Sequence, residues 1–419
     1  MPGSTDPVST PIASCRFCAA PLDEVVADLG MSPLANSFVP AARADAMEPY
    51  YPLRALVCGT CKLVQLGEYE TPDRIFSDYL YFSSYSTSWV EHARQYVETM
   101  LRQLDLGPSS QVVEIASNDG YLLQFFKARN VPVRGVEPAA NVAAVAVERG
   151  IPTVVEFFGR RSAGELAADS PADLIVANNV LAHVPDLNDF VAGVQILLAP
   201  DGVVTMEFPH LLRLLAGRQW DTIYHEHFSY FSFLTVRQVF AAHGLRLFDV
   251  EELETHGGSL RVHGCHDGNR ARPDSARVGE LLRREQAEGL DDLETYRRFG
   301  RRIVADKWDI QQTLIDLKQQ GLRIAGYGAP AKGNTMLNFC AVGRDILDFT
   351  CDQSPHKQGL LLPGTHIPIR APEALEAERP DLVLILPWNL REEVVDQLSY
   401  VRPWGTRFLA RTPELRVLP

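Results

Sequence analysis

The chain reads as an α/β protein in three parts: a small N-terminal metal-binding module, a central doubly wound nucleotide-type fold and a C-terminal Rossmann-like unit. Three observations lead there. Cys15-Arg-Phe-Cys18 and Cys58-Gly-Thr-Cys61 place two CxxC hooks in one short segment. Two later stretches, after residue 107 and again after residue 320, alternate apolar strand-like runs with helical ones. Each stretch carries a glycine-bearing turn between its first strand and first helix, where a backbone approaches a ligand most closely.

The hooks come first in the chain. Two CxxC pairs are what a tetrahedral Zn²⁺ requires, each biting the metal through both thiolates, and the metal contributes folding free energy that so short a segment lacks. Two structural disulfides are the competing reading. Tetrathiolate sites are closed, so a zinc on Cys15, Cys18, Cys58 and Cys61 is structural and leaves the chemistry to other residues. Cys265, Cys340 and Cys351 bring the total to seven cysteines, an odd number without regular spacing, as in reduced cytosolic proteins.

The spacing then predicts an aromatic-rich loop from residue 73 through Tyr79, Tyr81, Tyr85 and Trp89 into an amphipathic helix holding His92 and Tyr96. Strands are expected at residues 111–116, 133–137, 173–178 and 202–208, with helices from Tyr121 and Ala139. Residues 275–320 are charged, helically periodic and poor in breakers, and read as long linking helices. A second α/β unit follows, with strands at 321–329, 346–352 and 381–387. The expected divisions are 1–72, 73–274 and 275–419.

Composition excludes several functions. A net charge of -13 and a pI near 5.4 oppose an electrostatic grip on nucleic acid. No window approaches the roughly 18 uninterrupted apolar residues of a membrane span, and the N-terminus lacks a basic region followed by an apolar run. The chain is expected to be cytoplasmic, without membrane or nucleic-acid partners.

The first glycine turn, Glu114-Ile-Ala116-Ser117-Asn118-Asp119-Gly120, has too few glycines for the dinucleotide GxGxxG pattern. Acidic and small residues at that place suit the amino-acid half of S-adenosylmethionine (SAM). Glu137, at the tip of the next strand, sits where a carboxylate accepts ribose hydroxyls. Asn178 and Asn179 after the third strand, with Phe157 and Phe158 before it, are candidates to border the adenine. Core packing and turn formation are the competing readings for each. The second turn, Gly326-Tyr-Gly328-Ala-Pro-Ala-Lys332-Gly-Asn334, offers a helix N-terminus and a cation to a pyrophosphate, without the spacing of a Walker A loop. Ser259 and Arg261, after the permissive glycine pair Gly257-Gly258, suit a phosphate, and the competing reading is a turn needing positive φ.

Between these turns lies the densest polar cluster, Tyr224-His225-Glu226-His227-Phe228-Ser229-Tyr230. Its spacing excludes HExxH zinc chemistry, and on a half-buried strand the two histidines would alternate in direction. Histidine takes a proton near neutral pH, and a neighbouring carboxylate or phenol orients it. His183, in the run Asn178-Asn179-Val-Leu-Ala-His183, is a further candidate near the cofactor turn.

The CxxC pairs, YLYFSSYS at 79–86, EIASNDGYLL at 114–123, YHEHFSYFS at 224–232, HGGSLRV at 256–262 and GYGAPAKGNTMLN at 326–338 together resemble the sugar C-methyltransferases of antibiotic deoxysugar pathways. The match runs in order over nearly the whole chain. It is nearest to enzymes acting at C-3 of dTDP-3-amino-4-keto-2,3,6-trideoxyhexoses. The resemblance implies a zinc-binding domain, a central SAM-dependent methyltransferase domain and a C-terminal domain holding a dTDP-sugar. Ala116, where such folds commonly have glycine, is the main departure.

The chemistry such a reaction needs is specific. A proton beside a ketone must leave before the carbon attacks a methyl group, so a base and an enolate stabiliser are required. His227 is the candidate base, Glu226 and Tyr224 polarise it or hold the sugar, and His183 or Tyr79 donates a hydrogen bond near the 4-keto oxygen. The cofactor set is Glu114, Ala116, Asn118, Gly120, Glu137, Phe158 and Asn178. Ser259, Arg261, Lys332 and Asn334 are assigned to the nucleotide diphosphate. The alternatives are C-methylation of a non-amino ketosugar, methylation of oxygen or nitrogen on a nucleotide sugar, and a non-catalytic zinc- and nucleotide-binding module.

Overall fold

The computed structural model describes residues 14–71, 82–411 and 413–418. Its largest sheet has seven strands, in the order Leu245–Leu253, Ser259–His266, Leu198–Pro209, Ala172–Asn178, Val112–Ile115, Val133–Val136, Thr153–Val154. The last five are mutually parallel, and Ser259–His266 runs antiparallel to both its neighbours. Val112–Ile115 is buried at every position, as expected for a central strand covered on both faces. From it the chain winds outward through Val133–Val136 and Thr153–Val154, then returns to the other side at Ala172–Asn178. That reversal opens a crevice at the carboxyl ends of Val112–Ile115 and Ala172–Asn178, where doubly wound folds bind ligands.

Helix Thr87–Leu104 covers this sheet. Ser86 Oγ accepts the Trp89 amide at its start, Asp105 ends it in the left-handed conformation (φ 50°), and Ala93, Tyr96, Val97 and Met100 form its buried stripe.

The C-terminal unit repeats the logic. Its sheet has six strands in the order Ile369–Arg370, Thr350–Cys351, Ile324–Tyr327, Leu382–Ile385, Arg407–Arg411, Leu415–Val417. All neighbours are parallel except the final pair. Here the reversal lies between Ile324–Tyr327 and Leu382–Ile385, so the Gly328–Lys332 turn and the residues around Trp388 line one crevice. The expected strand at 346–352 is reduced to Thr350–Cys351, because residues 343–348 form a turn closed by Leu347 N to Gly343 O at 3.0 Å.

The four-stranded N-terminal sheet, in the order Glu24–Ser32, Tyr51–Val57, Val64–Leu66, Ser229–Tyr230, takes its last strand from the segment that follows the His-Glu-His triplet. The two helices expected at 275–320 are present as Ala276–Ala287 and Leu293–Gln319. The longer one does more than link. Tyr296, Phe299, Ile303, Ile310 and Leu314 are buried in a core shared with Val26, Leu53 and Val64 of the N-terminal sheet and Ile324 and Leu382 of the C-terminal sheet. A Cβ at Gly300 would stand 2.5 Å from the Val26 carbonyl oxygen, so helix and strand touch backbone to backbone there. Cys15, Cys58 and Cys61 belong instead to the core of the large sheet, with Phe231, Phe233 and Val236. No described helix is long and apolar enough to cross a membrane.

Candidate active site

The four thiols Cys15, Cys18, Cys58 and Cys61 lie within 4.8 Å of one another, with Sγ–Sγ distances of 3.6 Å for Cys15–Cys61 and 3.5 Å for Cys18–Cys58. A tetrahedral zinc with Zn–S near 2.3 Å places its sulfurs about 3.8 Å apart, so the donor set fits that metal. Gln65 Nε2 donates to Cys15 Sγ at 3.2 Å, the outer-shell contact a thiolate ligand calls for.

In the crevice of the large sheet, Ala116 (φ 54°), Asn118 (φ 49°) and Gly120 (φ 78°) all adopt left-handed backbone. That explains the usual glycine at the Ala116 position and the need for one at Gly120, where a Cβ would collide with Ile151 Cδ1. Glu137 Oε2 accepts the Asn118 amide and Oε1 the Ala139 amide, both at 2.9 Å, which fixes the carboxylate against the turn. Asn118 Oδ1 accepts the Ser83 amide at 2.8 Å. Burial, then the nearby Glu137 and Asp119, drives the Glu114 carboxyl well above its ordinary range. Three acidic side chains thus converge on a crevice in which Glu114 Oε2, Ser117 Oγ, Asp119 Oδ1, Asn178 Oδ1 and Asn179 Oδ1 find no partner among the described residues. A ligand bearing an ammonium, a sulfonium and a polar nucleoside matches that lining. The half-buried Phe158 ring packs edge-to-face on Phe190, centroids 5.4 Å apart, and Phe157 is exposed.

The His-Glu-His triplet forms a buried turn, closed by the His227 amide on the Tyr224 carbonyl at 2.9 Å, rather than the half-buried strand expected of it. The turn separates the two histidines. His225 points to the N-terminal sheet, edge-on to Tyr51 and Tyr69, with Nε2 on the Pro52 carbonyl at 3.3 Å. His227 Nδ1 lies 2.9 Å from the Thr222 carbonyl, which only accepts, so Nδ1 carries the proton and Nε2 the lone pair. The Tyr224 hydroxyl meets that lone pair at 2.8 Å. His183 stands edge-on to His227, centroids 4.8 Å apart, its own Nδ1 2.8 Å from the Glu226 carbonyl. Burial, and next the adjacent His183, holds His227 well below the ordinary imidazole range, and burial brings His183 down to about 4. Both rings are neutral at physiological pH. The Glu226 carboxyl is buried, accepts from Asn36 Nδ2 at 2.7 Å, and is pushed up by burial to about 7. Tyr79 lies outside the described residues.

Of the four residues assigned to the nucleotide diphosphate, Lys332 alone has its cation in the C-terminal crevice. Its Nζ donates to Asn389 Oδ1 at 2.6 Å and lies 4.8 Å from the Trp388 ring centroid, and burial lowers it to about 8. Asn334 is buried and turned to the N-terminal unit, donating to the Ala35 carbonyl at 2.7 Å. Ser259 and Arg261 already have partners within the chain. Their strand pairs with Leu198–Pro209, which turns Arg261 onto Glu207 (3.1 Å) and Glu251 (3.2 Å), while Ser259 Oγ donates to the Thr255 carbonyl at 3.0 Å.

Sequence reasoning missed several neighbours. Glu207 is fully buried, accepts from Thr255 Oγ1 at 2.9 Å and meets His92 Nε2 at 2.9 Å. Thr255 leads into His256, whose left-handed backbone (φ 55°) and 3.3 Å contact with Asn179 Nδ2 tie this turn to the cofactor crevice. Asp221 accepts Trp388 Nε1 at 2.7 Å and Arg411 at 2.9 Å, steadying the ring beneath Lys332. No local pattern marks Glu207, Thr255 or Asp221, since each acts through a partner 48 to 190 positions away.

The comparisons with known proteins agree with this architecture. Over 411 residues, the chain is 36% identical to the C-methyltransferase NovU of Streptomyces niveus, covering 97% of both chains. The chain belongs to the C-methyltransferase family. Family models match a zinc binding domain at residues 15–76, a methyltransferase domain at 89–250 and a C-methyltransferase C-terminal domain at 254–413. Among solved structures, magnesium protoporphyrin IX methyltransferase from Synechocystis PCC 6803 with bound SAH overlaps 42% of this chain and 83% of its own, at 13% identity and TM-score 0.35. The CcbJ methyltransferase from Streptomyces caelestis overlaps 42% and 89%, at 13% identity and TM-score 0.34. This C-methyltransferase is a SAM-dependent enzyme with a structural zinc site.

Two outcomes follow for purified protein. Cys58→Ser is expected to reduce bound zinc from about one per chain to near none by elemental analysis, with a lower melting temperature, because three thiolates no longer close the site. Glu226, raised from an ordinary 4.5 to about 7 in the folded state, makes the folded protein bind more protons than the unfolded chain between those values. Stability therefore falls as pH rises through that window, by roughly 3 kcal/mol for this group alone. Denaturant titrations from pH 4.5 to 7.5 are expected to show a shallower decline for Glu226→Gln.

Proposed function

We propose that this enzyme methylates C-3 of a dTDP-3-amino-4-keto-2,3,6-trideoxyhexose, in the assembly of an antibiotic deoxysugar. The observation that carries the reading is the tautomer of His227. Its Nδ1 proton is committed to the Thr222 carbonyl, so Nε2 is left to accept a proton in a buried site lying between the two crevices. SAM, held at the turn from Ala116 to Gly120 by Asn118, Glu137 and neighbours, supplies an electrophilic methyl group.

In this scheme Nε2 of His227 takes the C-3 proton, the C–H electron pair becomes the C-3=C-4 double bond, and the carbonyl π pair moves onto the 4-keto oxygen. Removal is feasible only because the ketone spreads the charge. Before the sugar binds, the Tyr224 hydroxyl donates to the single Nε2 lone pair and so orients the ring; it turns off Nε2 when the C-3 hydrogen takes that direction. Tyr79 is the candidate donor to the developing oxyanion; the neutral His183 has its single N–H on the Glu226 carbonyl, presents only a lone pair at Nε2, and braces the His227 ring edge-on. Lys332, steadied by Asn389 and the Trp388 ring, faces the diphosphate of the sugar nucleotide from the opposite crevice. The cation is expensive to bury, and an anionic ligand offsets that cost.

Methylation at oxygen or nitrogen would also need a base but no ketone beside the target atom, so the position of the new methyl separates the readings. With SAM and the 3-amino-4-ketosugar, product NMR is expected to locate the new methyl on C-3. In His227→Asn both ligands stay bound while turnover drops by roughly 10²–10⁴, the usual contribution of a general base. A near-normal rate in that variant, with loss on changing His183 or Tyr79, would move the role to those residues.

A further inference from the structure

The metal-binding module reaches beyond its own sheet. After Glu24–Ser32 the chain leaves as an arm that lies on the C-terminal unit. Val39 and Pro40 pair antiparallel with Leu361 and Leu360. Glu48 accepts the Gly364 amide and meets His366 Nε2, each at 3.0 Å. Near the start of the arm a turn, closed by Ser37 N on the Leu34 carbonyl at 3.1 Å, presents Ala35 and Asn36. The two residues face different units. The Ala35 carbonyl takes the Asn334 amide group of the C-terminal unit, and Asn36 Nδ2 donates to Glu226 Oε1, 190 positions away in the central unit. Asn36 is exposed although its partner carboxylate is buried, so it sits at the outer lip of the pocket.

We propose that Asn36 is a positioning residue of the methyl-transfer site, fixing the Glu226 carboxylate from the metal-binding module so that all three units must be docked for the pocket to be complete. The proposal rests on the reading of Glu226 as part of that site. A carboxylate in a dry pocket with one fixed donor has one preferred direction. Without the donor it is left to turn or to take up water, and the Tyr224–His227 turn that carries it loses its outer support. The same contact gives the zinc an indirect role: the metal fixes residues 15–61, from which the arm extends, and the arm carries Asn36.

A double-mutant cycle on the full-length zinc-loaded enzyme tests this, with SAM and the 3-amino-4-ketosugar nucleotide as substrates. Asn36→Ala is expected to lower kcat by roughly ten-fold, the effect of losing a hydrogen bond to a charged group, with KM changed less than about two-fold. Zinc content and melting temperature are expected to stay at the parent values, because the side chain is exposed and the turn bonds are main-chain. Asn36→Asp, which sets a second carboxylate against Glu226, is expected to lose more. In the Glu226→Ala background, which offers no acceptor, the Asn36→Ala loss shrinks to less than about two-fold. Equal losses in both backgrounds, or a parent rate for Asn36→Ala, overturn the proposal while leaving Glu226 in the site. A parent rate for Glu226→Ala alone removes Glu226 from the site and overturns the proposal with it.

Discussion

The pairing of Ser229–Tyr230 with Val64 and Gln65 is the contact on which the arrangement of the site depends. Ser229 faces Gln65 and Tyr230 faces Val64, while the Leu66 amide binds the Phe228 carbonyl at 3.0 Å. These bonds extend the metal-binding sheet by a strand from the central unit, directly after the turn that holds Glu226 and His227. Cys61 is three residues before Val64, so the zinc anchors one side of the ladder. On the other side Phe231 and Phe233 are buried in the core of the large sheet. The turn is clamped between a metal site and a hydrophobic core, which is how a short irregular segment holds its side chains in fixed positions.

Burial sets the electrostatics of the centre. His183, His227, His256 and Lys332 are all lowered by desolvation, whereas Glu114 and Glu226 are raised by it. Each group is thus biased toward its neutral form, and the bias runs against charges that the ligands are suited to supply. Under the proposed function, a cationic cofactor would favour ionised Glu114 and Glu137, and an anionic diphosphate would favour protonated Lys332.

Much of the fold was legible because it is written locally. The CxxC hooks, the buried run at Val112–Ile115, the turn from Ala116 to Gly120 and the periodicity of residues 275–320 each carry their own signal. Ala116 shows how far one residue can be read: it departs from the usual glycine, and its left-handed backbone shows what the glycine is for. What was not legible shares one cause. Nothing local shows that strand pairing brings Glu207 and Glu251 beside Arg261, or that Phe190 packs edge-on against Phe158. Asn36 and Trp388 carry no motif, because their roles come from partners in other units. Local chemistry nominates residues, and tertiary pairing decides which are already spent.

The account turns on proton removal at C-3 by His227, a step that precedes methyl transfer and can be observed without it. Incubating the enzyme with the 3-amino-4-ketosugar nucleotide in deuterium oxide, with SAM omitted, isolates that step. The predicted result is deuterium at C-3 by NMR with the parent enzyme and none above background with His227→Asn. Exchange at the parent rate in His227→Asn would contradict the account.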